Sequence, residues 1–223
     1  MAIAEEPSQH YQSFLATTER KLVRAIIADL PDTVAPRQLT VVGLFGAGMT
    51  AIALIGCRWS PLWLLVVVTG VFLNWFGMSL DGPLARLRQD EQPNFALLDH
   101  VADLFSLILI IVAFGLSPFL SYKAAFIVLF CYLFFSAYTY MRVVAKRIQQ
   151  MAYIGLGITE FRLLMIVWPL VAQVIGVDET AVEGLSKLDL IIMLLAAFAF
   201  CDLVVKIVLD GRKIAAEEQG GQP

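Results

Sequence analysis

Charge is scarce in this chain. Lys, Arg, Asp and Glu make up 16% of its 223 residues, while 59% are apolar. With a mean hydropathy of +0.78, that balance excludes an ordinary soluble domain, in which about a quarter of the residues are charged. Cysteine and histidine are also rare, at three and two residues. Cys57, Cys131 and Cys201 stand in or beside apolar runs without metal-ligand spacing, so they read as small packing residues. No basic run is present and the net charge is −3, which gives no reason to expect a nucleic-acid partner. No apolar core follows a basic start in the first thirty residues, so no secretory signal is expected.

What the chain has in quantity is long apolar runs. A membrane-crossing helix needs roughly 20 apolar residues, and we read six spans: about 39–57, 61–80, 95–119, 123–144, 161–175 and 188–208, the fifth being the shortest, with residues 155–160 as a possible helical extension of it. The second helix is expected to continue to Arg88. The fold class is therefore an all-α integral membrane protein with six transmembrane helices. Upstream, residues 11–30 are amphipathic. Phe14, Leu15, Leu22, Val23, Ile26 and Ile27 share a face opposite Glu19, Arg20, Lys21, Arg24 and Asp29. This pattern suits an N-terminal interfacial helix; a helix packed on a partner is the alternative. Pro31 and Pro36 bracket the turn that follows. The expected organisation is an interfacial helix and turn over 1–38, a membrane domain over 39–210, and a disordered tail over 211–223.

Six crossings place both termini on one side. Sorted that way, 13 of the 16 basic residues lie on the terminal side, and only Arg58, Lys123 and Lys187 lie on the other. The positive-inside rule makes the rich side cytoplasmic, and a bacterial inner membrane is the expected setting. Trp59 and Trp63 then fall in an outer aromatic belt.

The most informative segment interrupts this apolar pattern. Residues 81–103 read DGPLARLRQDEQPNFALLDHVAD between two apolar runs. Ionisable groups at the edge of a span are costly and usually face a polar cavity. Asp99 and Asp103 are four apart and share a helix face. Gathered with Asp81, they could neutralise a divalent cation, for which hard carboxylate oxygens are suited. Solvated helix ends are the alternative.

These residues resemble the signature of the CDP-alcohol phosphatidyltransferase family, Asp-x-x-Asp-Gly-x-x-Ala-Arg, eight residues, then Gly-x-x-x-Asp-x-x-x-Asp. Asp81, Gly82, Ala85, Arg86, Asp99 and Asp103 fall in place, six of eight positions, while Met78 stands for the first aspartate and Phe95 for the second glycine. Residues 36–43, PRQLTVVG, resemble the family's Pro-Asn-x-x-Thr approach to the first span, with Arg37 in the Asn position. The resemblance covers nearly the whole chain. It implies an enzyme that transfers a substituted phosphate from a CDP-linked substrate to an alcohol, with release of CMP. It also implies Mg2+ or Mn2+, one or two ions, and a homodimer. By the same resemblance Asp81, Asp99 and Asp103 would be metal ligands, and Asp103 the general base. Gly82 and Ala85 would admit the nucleotide, and Arg86 would counter its phosphate charge. Phe95 would crowd the cytidine pocket or stack on the base.

Loss of the first carboxylate has two possible remedies. Asn74, seven residues before Asp81 on the same helix face, could offer an amide oxygen to metal, or could instead bond a neighbouring helix. Otherwise one metal is lost, or is held by substrate, water and backbone. Glu160 and Arg162 open the fifth span on the expected site side and could contact the acceptor or headgroup, unless they merely start a helix. Arg142 and Arg147, with Lys146, could bind a phosphate or anchor the inner face. His100 points away from Asp99 and reads as packing. Asp202 and Lys206 read as a structural pair, and Gly43, Gly46 and Gly48 as a close-packing surface. Expected partners are the CDP-linked substrate (CDP-diacylglycerol, or the CDP-choline and CDP-ethanolamine kind), the alcohol acceptor and membrane lipid. A non-catalytic relative that binds nucleotide or lipid, and a small ion-coupled transporter, are the alternatives.

Overall fold

A computed structural model describes residues 16–89, 93–146, 152–153, 156–176, 180–182 and 185–220. Seven helices follow in chain order: α1 (Ala16–Asp29), α2 (Pro36–Gly56), α3 (Trp63–Leu87), α4 (Pro93–Gly115), α5 (Tyr122–Lys146), α6 (Ile158–Ile175) and α7 (Lys187–Gly220). Two small antiparallel hairpins complete the described chain. One is β1 (Ala152–Tyr153) with β2 (Leu156–Gly157), before α6; the other is β3 (Thr180–Val182) with β4 (Leu185–Ser186), before α7.

Among the described residues, five helices are long and apolar enough to cross a membrane: α2, α3, α4 over Leu97–Gly115, α5 over Tyr122–Met141, and α7 over Lys187–Arg212. The expected fifth span is different. It is the shorter apolar stretch Arg162–Val174 of α6, which begins at a buried arginine and contains Pro169. Burial elsewhere fits a lipid solvent. Phe126, Phe130, Leu194 and Phe198 of α5 and α7 are exposed, which only an apolar surrounding makes favourable. At the C-terminal end α7 runs on to Gly220, through most of the stretch expected as a tail. Residues 212–218, RKIAAEE, are strong helix formers with no proline to stop them.

The bundle is built around the α2–α3 pair. Pro36 opens α2 at its first position, where its missing N–H costs nothing, and Gln38 Oε1 accepts from the Ala35 N–H at 2.9 Å. Glycines then allow the two backbones to touch. A Cβ on Gly77 would lie 2.3 Å from Gly43 N, and one on Gly46 would lie 2.4 Å from Asn74 N. Gly43 and Gly46 thus form the expected close-packing surface, but Gly48 meets nothing within 4 Å. One apolar core spans the bundle through Leu54, Val67, Leu107, Ile110, Trp168 and Leu188. A second, smaller one joins Val23 and Ile27 of α1 to Leu39, Leu80 and Leu84. So α1 lays part of its apolar face on α2 and α3. Arg88 fixes the α1–α2 turn by donating to the carbonyls of Pro31, Asp32 and Val34. Gln89, at φ 54°, closes α3 in the left-handed region usually left to glycine.

At the far end, Ser186 and Asp189 form a reciprocal cap on α7. Ser186 N donates to Asp189 Oδ2 at 2.9 Å, and Asp189 N donates to Ser186 Oγ at 3.0 Å. Asp189 Oδ1 also accepts from Ser121 N at 2.8 Å, beside the start of α5. Asp189 is buried, so Asp189→Ala would strand two backbone donors. The expected loss is about 2–3 kcal/mol, read as a lowered melting temperature in micelles. A variant as stable as the parent would show the clamp to be idle.

Candidate functional site

The ends of α2, α3, α4 and α6 converge on one polar cluster. Asp81 lies on α3, one turn past Gly77, where the glycine contacts bring α3 against α2. The close approach lets Thr40 Oγ1 donate to Asp81 Oδ2 at 2.7 Å, and Gly82 N donates to Asp81 Oδ1 at 2.8 Å. Asp81 is 1% exposed, which makes it a buried carboxylate held by two neutral donors. Pro83 follows, and its missing N–H releases the carbonyl four residues back.

Asp99 comes from α4 and faces Asp81 across Gly82. A Cβ on Gly82 would stand 3.7 Å from Asp99 Oδ2 and 4.0 Å from Arg86 Nη1. The glycine therefore keeps open a small space bordered by a carboxylate and a guanidinium. Asp99 is near enough to act electrostatically on both Asp81 and Asp103, so the three aspartates share one polar environment. Asp99 Oδ1 is buried and has no hydrogen-bond partner among the described residues. An orphaned carboxylate oxygen is expensive, and a bound cation would satisfy it. Among the described residues no group of three or more His, Cys, Asp or Glu is spaced to hold a metal ion. Asp81 and Asp99 offer a hard-oxygen pair that fits a divalent cation whose other ligands come from elsewhere.

Asp103 is differently occupied. Its Oδ1 is 3.2 Å from Arg162 Nη2, and the side chains of Arg162 and Asp103 are 6% and 24% exposed. Arg162 also donates from Nε to Asn74 Oδ1 at 3.2 Å and from Nη1 to Ser79 Oγ at 3.4 Å. Ser79 Oγ donates to Glu19 Oε1 at 3.1 Å, and Trp75 Nε1 donates to the same oxygen at 2.9 Å. A polar chain thus runs from α1 through α3 and α6 to Asp103.

This arrangement alters several expectations. Asn74 uses its amide at both ends, donating to Gly43 O at 3.0 Å and accepting from Arg162. That is the interhelical bond, not a free metal ligand. Met78 turns toward Gly43, whose Cβ would fall 3.1 Å from its sulfur; the thioether fills the glycine groove. Arg162 is buried against Asp103 instead of exposed to an acceptor. Ala85 is buried and Arg86 exposed. The side chains of Phe95, Arg142 and Glu160, and all of Arg147, lie outside the described residues. His100 is exposed, its ring 5.9 Å from that of Tyr140. Lys206 and Asp202 form the expected pair at 2.8 Å.

Two features escaped the sequence. One is the Arg162–Asp103 pair; an arginine standing alone ahead of an apolar run was its signal. The other is the role of Ser79 and Glu19, which had none, because a serine in an apolar helix usually bonds its own backbone.

Compared with protein-family models the chain matches none, and a search of curated proteins finds no match. The functional reading therefore rests on the residues of the site.

Proposed function

We propose that this chain is a membrane-embedded, divalent-metal-dependent transferase of the CDP-alcohol phosphotransferase kind, moving a substituted phosphate from a CDP-linked substrate to an alcohol and releasing CMP. The observation that carries this reading is the Asp81–Asp99 pair around Gly82, with Asp99 Oδ1 buried and unpartnered. Asp81 and Asp99 would hold Mg2+ or Mn2+. When bound, the ion supplies charge neutralisation at a diphosphate. Gly82 leaves room for the nucleotide, and exposed Arg86 meets its phosphate charge. Asp103 accepts the proton of the attacking hydroxyl while Arg162 orients it.

In this reading α6 completes six crossings, α1 lies in the interface, and the site opens to the cytoplasm of a bacterial inner membrane. CDP-substrates then arrive from water and lipid substrates from the bilayer. The active species is a homodimer. A second reading, a binder of nucleotide or lipid without turnover, draws on Met78 in the first acidic position and on the Arg162–Asp103 pair.

The deciding assay is CMP release by the purified protein from CDP-diacylglycerol, CDP-choline and CDP-ethanolamine, with Mg2+ or Mn2+ and candidate alcohols. Metal-dependent release with one of them supports the transferase. Metal-dependent CDP-substrate binding without release selects the second reading.

A further inference from the structure

We infer that Arg162 serves as a tethered cation of the site, which with it takes a single divalent ion. This rests on the metal-dependent reading above and deepens it. The argument is one of charge and place. With a cation bound, Asp81, Asp99 and Asp103 would present three negative charges in a largely desolvated cluster. Concentrated buried charge needs compensation nearby. Arg162 is 5% exposed and bonded to Asp103, Asn74 and Ser79, so it supplies one fixed positive charge. The remainder is two negative charges at Asp81 and Asp99, which one divalent ion balances. Arg86 is exposed and contributes at the solvent edge only. Glu19, the next carboxylate outward, is half-buried on α1 and separated from Asp103 by Ser79 and Arg162.

Position supports the count. Asn74 Oδ1 and Asp103 Oδ1, two oxygens that could have served a second ion, are both bonded to Arg162. Met78 offers no replacement, since its sulfur faces Gly43. The fork of the guanidinium bridges acceptors on α3 and α4 as a point charge could not. Arg162 is thus a positioning residue: it holds Asp103 and, as a like charge beside the site, limits the cluster's hold on a metal ion.

The experiment counts metal directly. The full chain in detergent micelles is titrated with Mn2+ in the presence of CMP, and free Mn2+ is read by electron paramagnetic resonance. The parent protein is expected to bind one Mn2+ per chain. Arg162→Gln removes a like charge from beside the ion and is expected to bind one Mn2+ at least about tenfold more tightly. Arg162→Lys keeps the charge and is expected to stay within about threefold of the parent. Two Mn2+ per parent chain would overturn the inference and leave the transferase reading standing, as would an Arg162→Gln affinity that is unchanged or weaker. No Mn2+ bound to the parent protein would bring down the metal-dependent reading and this inference together. If Arg162→Gln fails to fold, the parent count and Arg162→Lys still decide.

Discussion

Asp99→Asn is expected to lower CMP release by at least about a hundredfold to a thousandfold without lowering the melting temperature of the metal-free protein. The two halves of this prediction share one cause. Asp99 Oδ1 is buried without a partner and its charge faces that of Asp81. In the absence of a cation, this costs the folded state energy, and a neutral amide relieves it. Residues that serve a reaction are commonly destabilising in this way. In the presence of a cation the balance reverses, because an ion that binds only the folded state stabilises it by mass action. Parent protein should therefore melt higher with Mn2+ than with a chelator, and Asp99→Asn should show little of that rise. Thermal unfolding in micelles, with and without Mn2+, reads both effects. A variant that kept the parent's metal-dependent rise and its CMP release would remove Asp99 from the site.

The second large effect is expected at Gly77, which touches no part of the reaction. Its Cβ would sit 2.4 Å from Leu39 O and 2.6 Å from Gly43 Cα, as well as against Gly43 N. All three are backbone atoms of α2, so no rotamer change makes room. Gly77→Ala must push α2 from α3. Overpacking of this kind costs about 1–3 kcal/mol. The two hydrogen bonds across the crossing, Asn74 to Gly43 and Thr40 to Asp81, add about 1 kcal/mol each when strained. A loss of about 3 kcal/mol or more is expected, with activity falling as Thr40 leaves Asp81. Gly48→Ala is the control, with open space around its Cβ. It should be neutral, or stabilising by up to about 1 kcal/mol from helix propensity. Equal melting temperatures for the two variants would mean that the α2–α3 contact is looser than its geometry.

The two variants mark different kinds of legibility. Apolar length located the long helices within a few residues, because burial in lipid requires every backbone group to be bonded within the helix. Apolar length left α6 undecided, because its apolar stretch Arg162–Val174 is shorter than the other spans, and polar composition gave no sign that α7 runs on to Gly220. The aspartates stood out because charge is costly where this sequence puts it. Their partners did not. Ser79, Trp75 and Glu19 are unremarkable in composition, and each acquires its role from a neighbour at least 56 residues away in the chain.

By itself the sequence determined that the chain forms long apolar helices and gathers carboxylates at the start and end of two of them, since local hydropathy and spacing are enough for that. Only the tertiary structure decided that Asp99 Oδ1 is left without a hydrogen-bond partner among the described residues while Asp103 is claimed by Arg162, that Asn74 is engaged at both ends, and that Met78 is spent on Gly43. Those outcomes depend on how closely α2, α3, α4 and α6 approach, and side-chain pairing across helices is set by that distance, not by any local pattern.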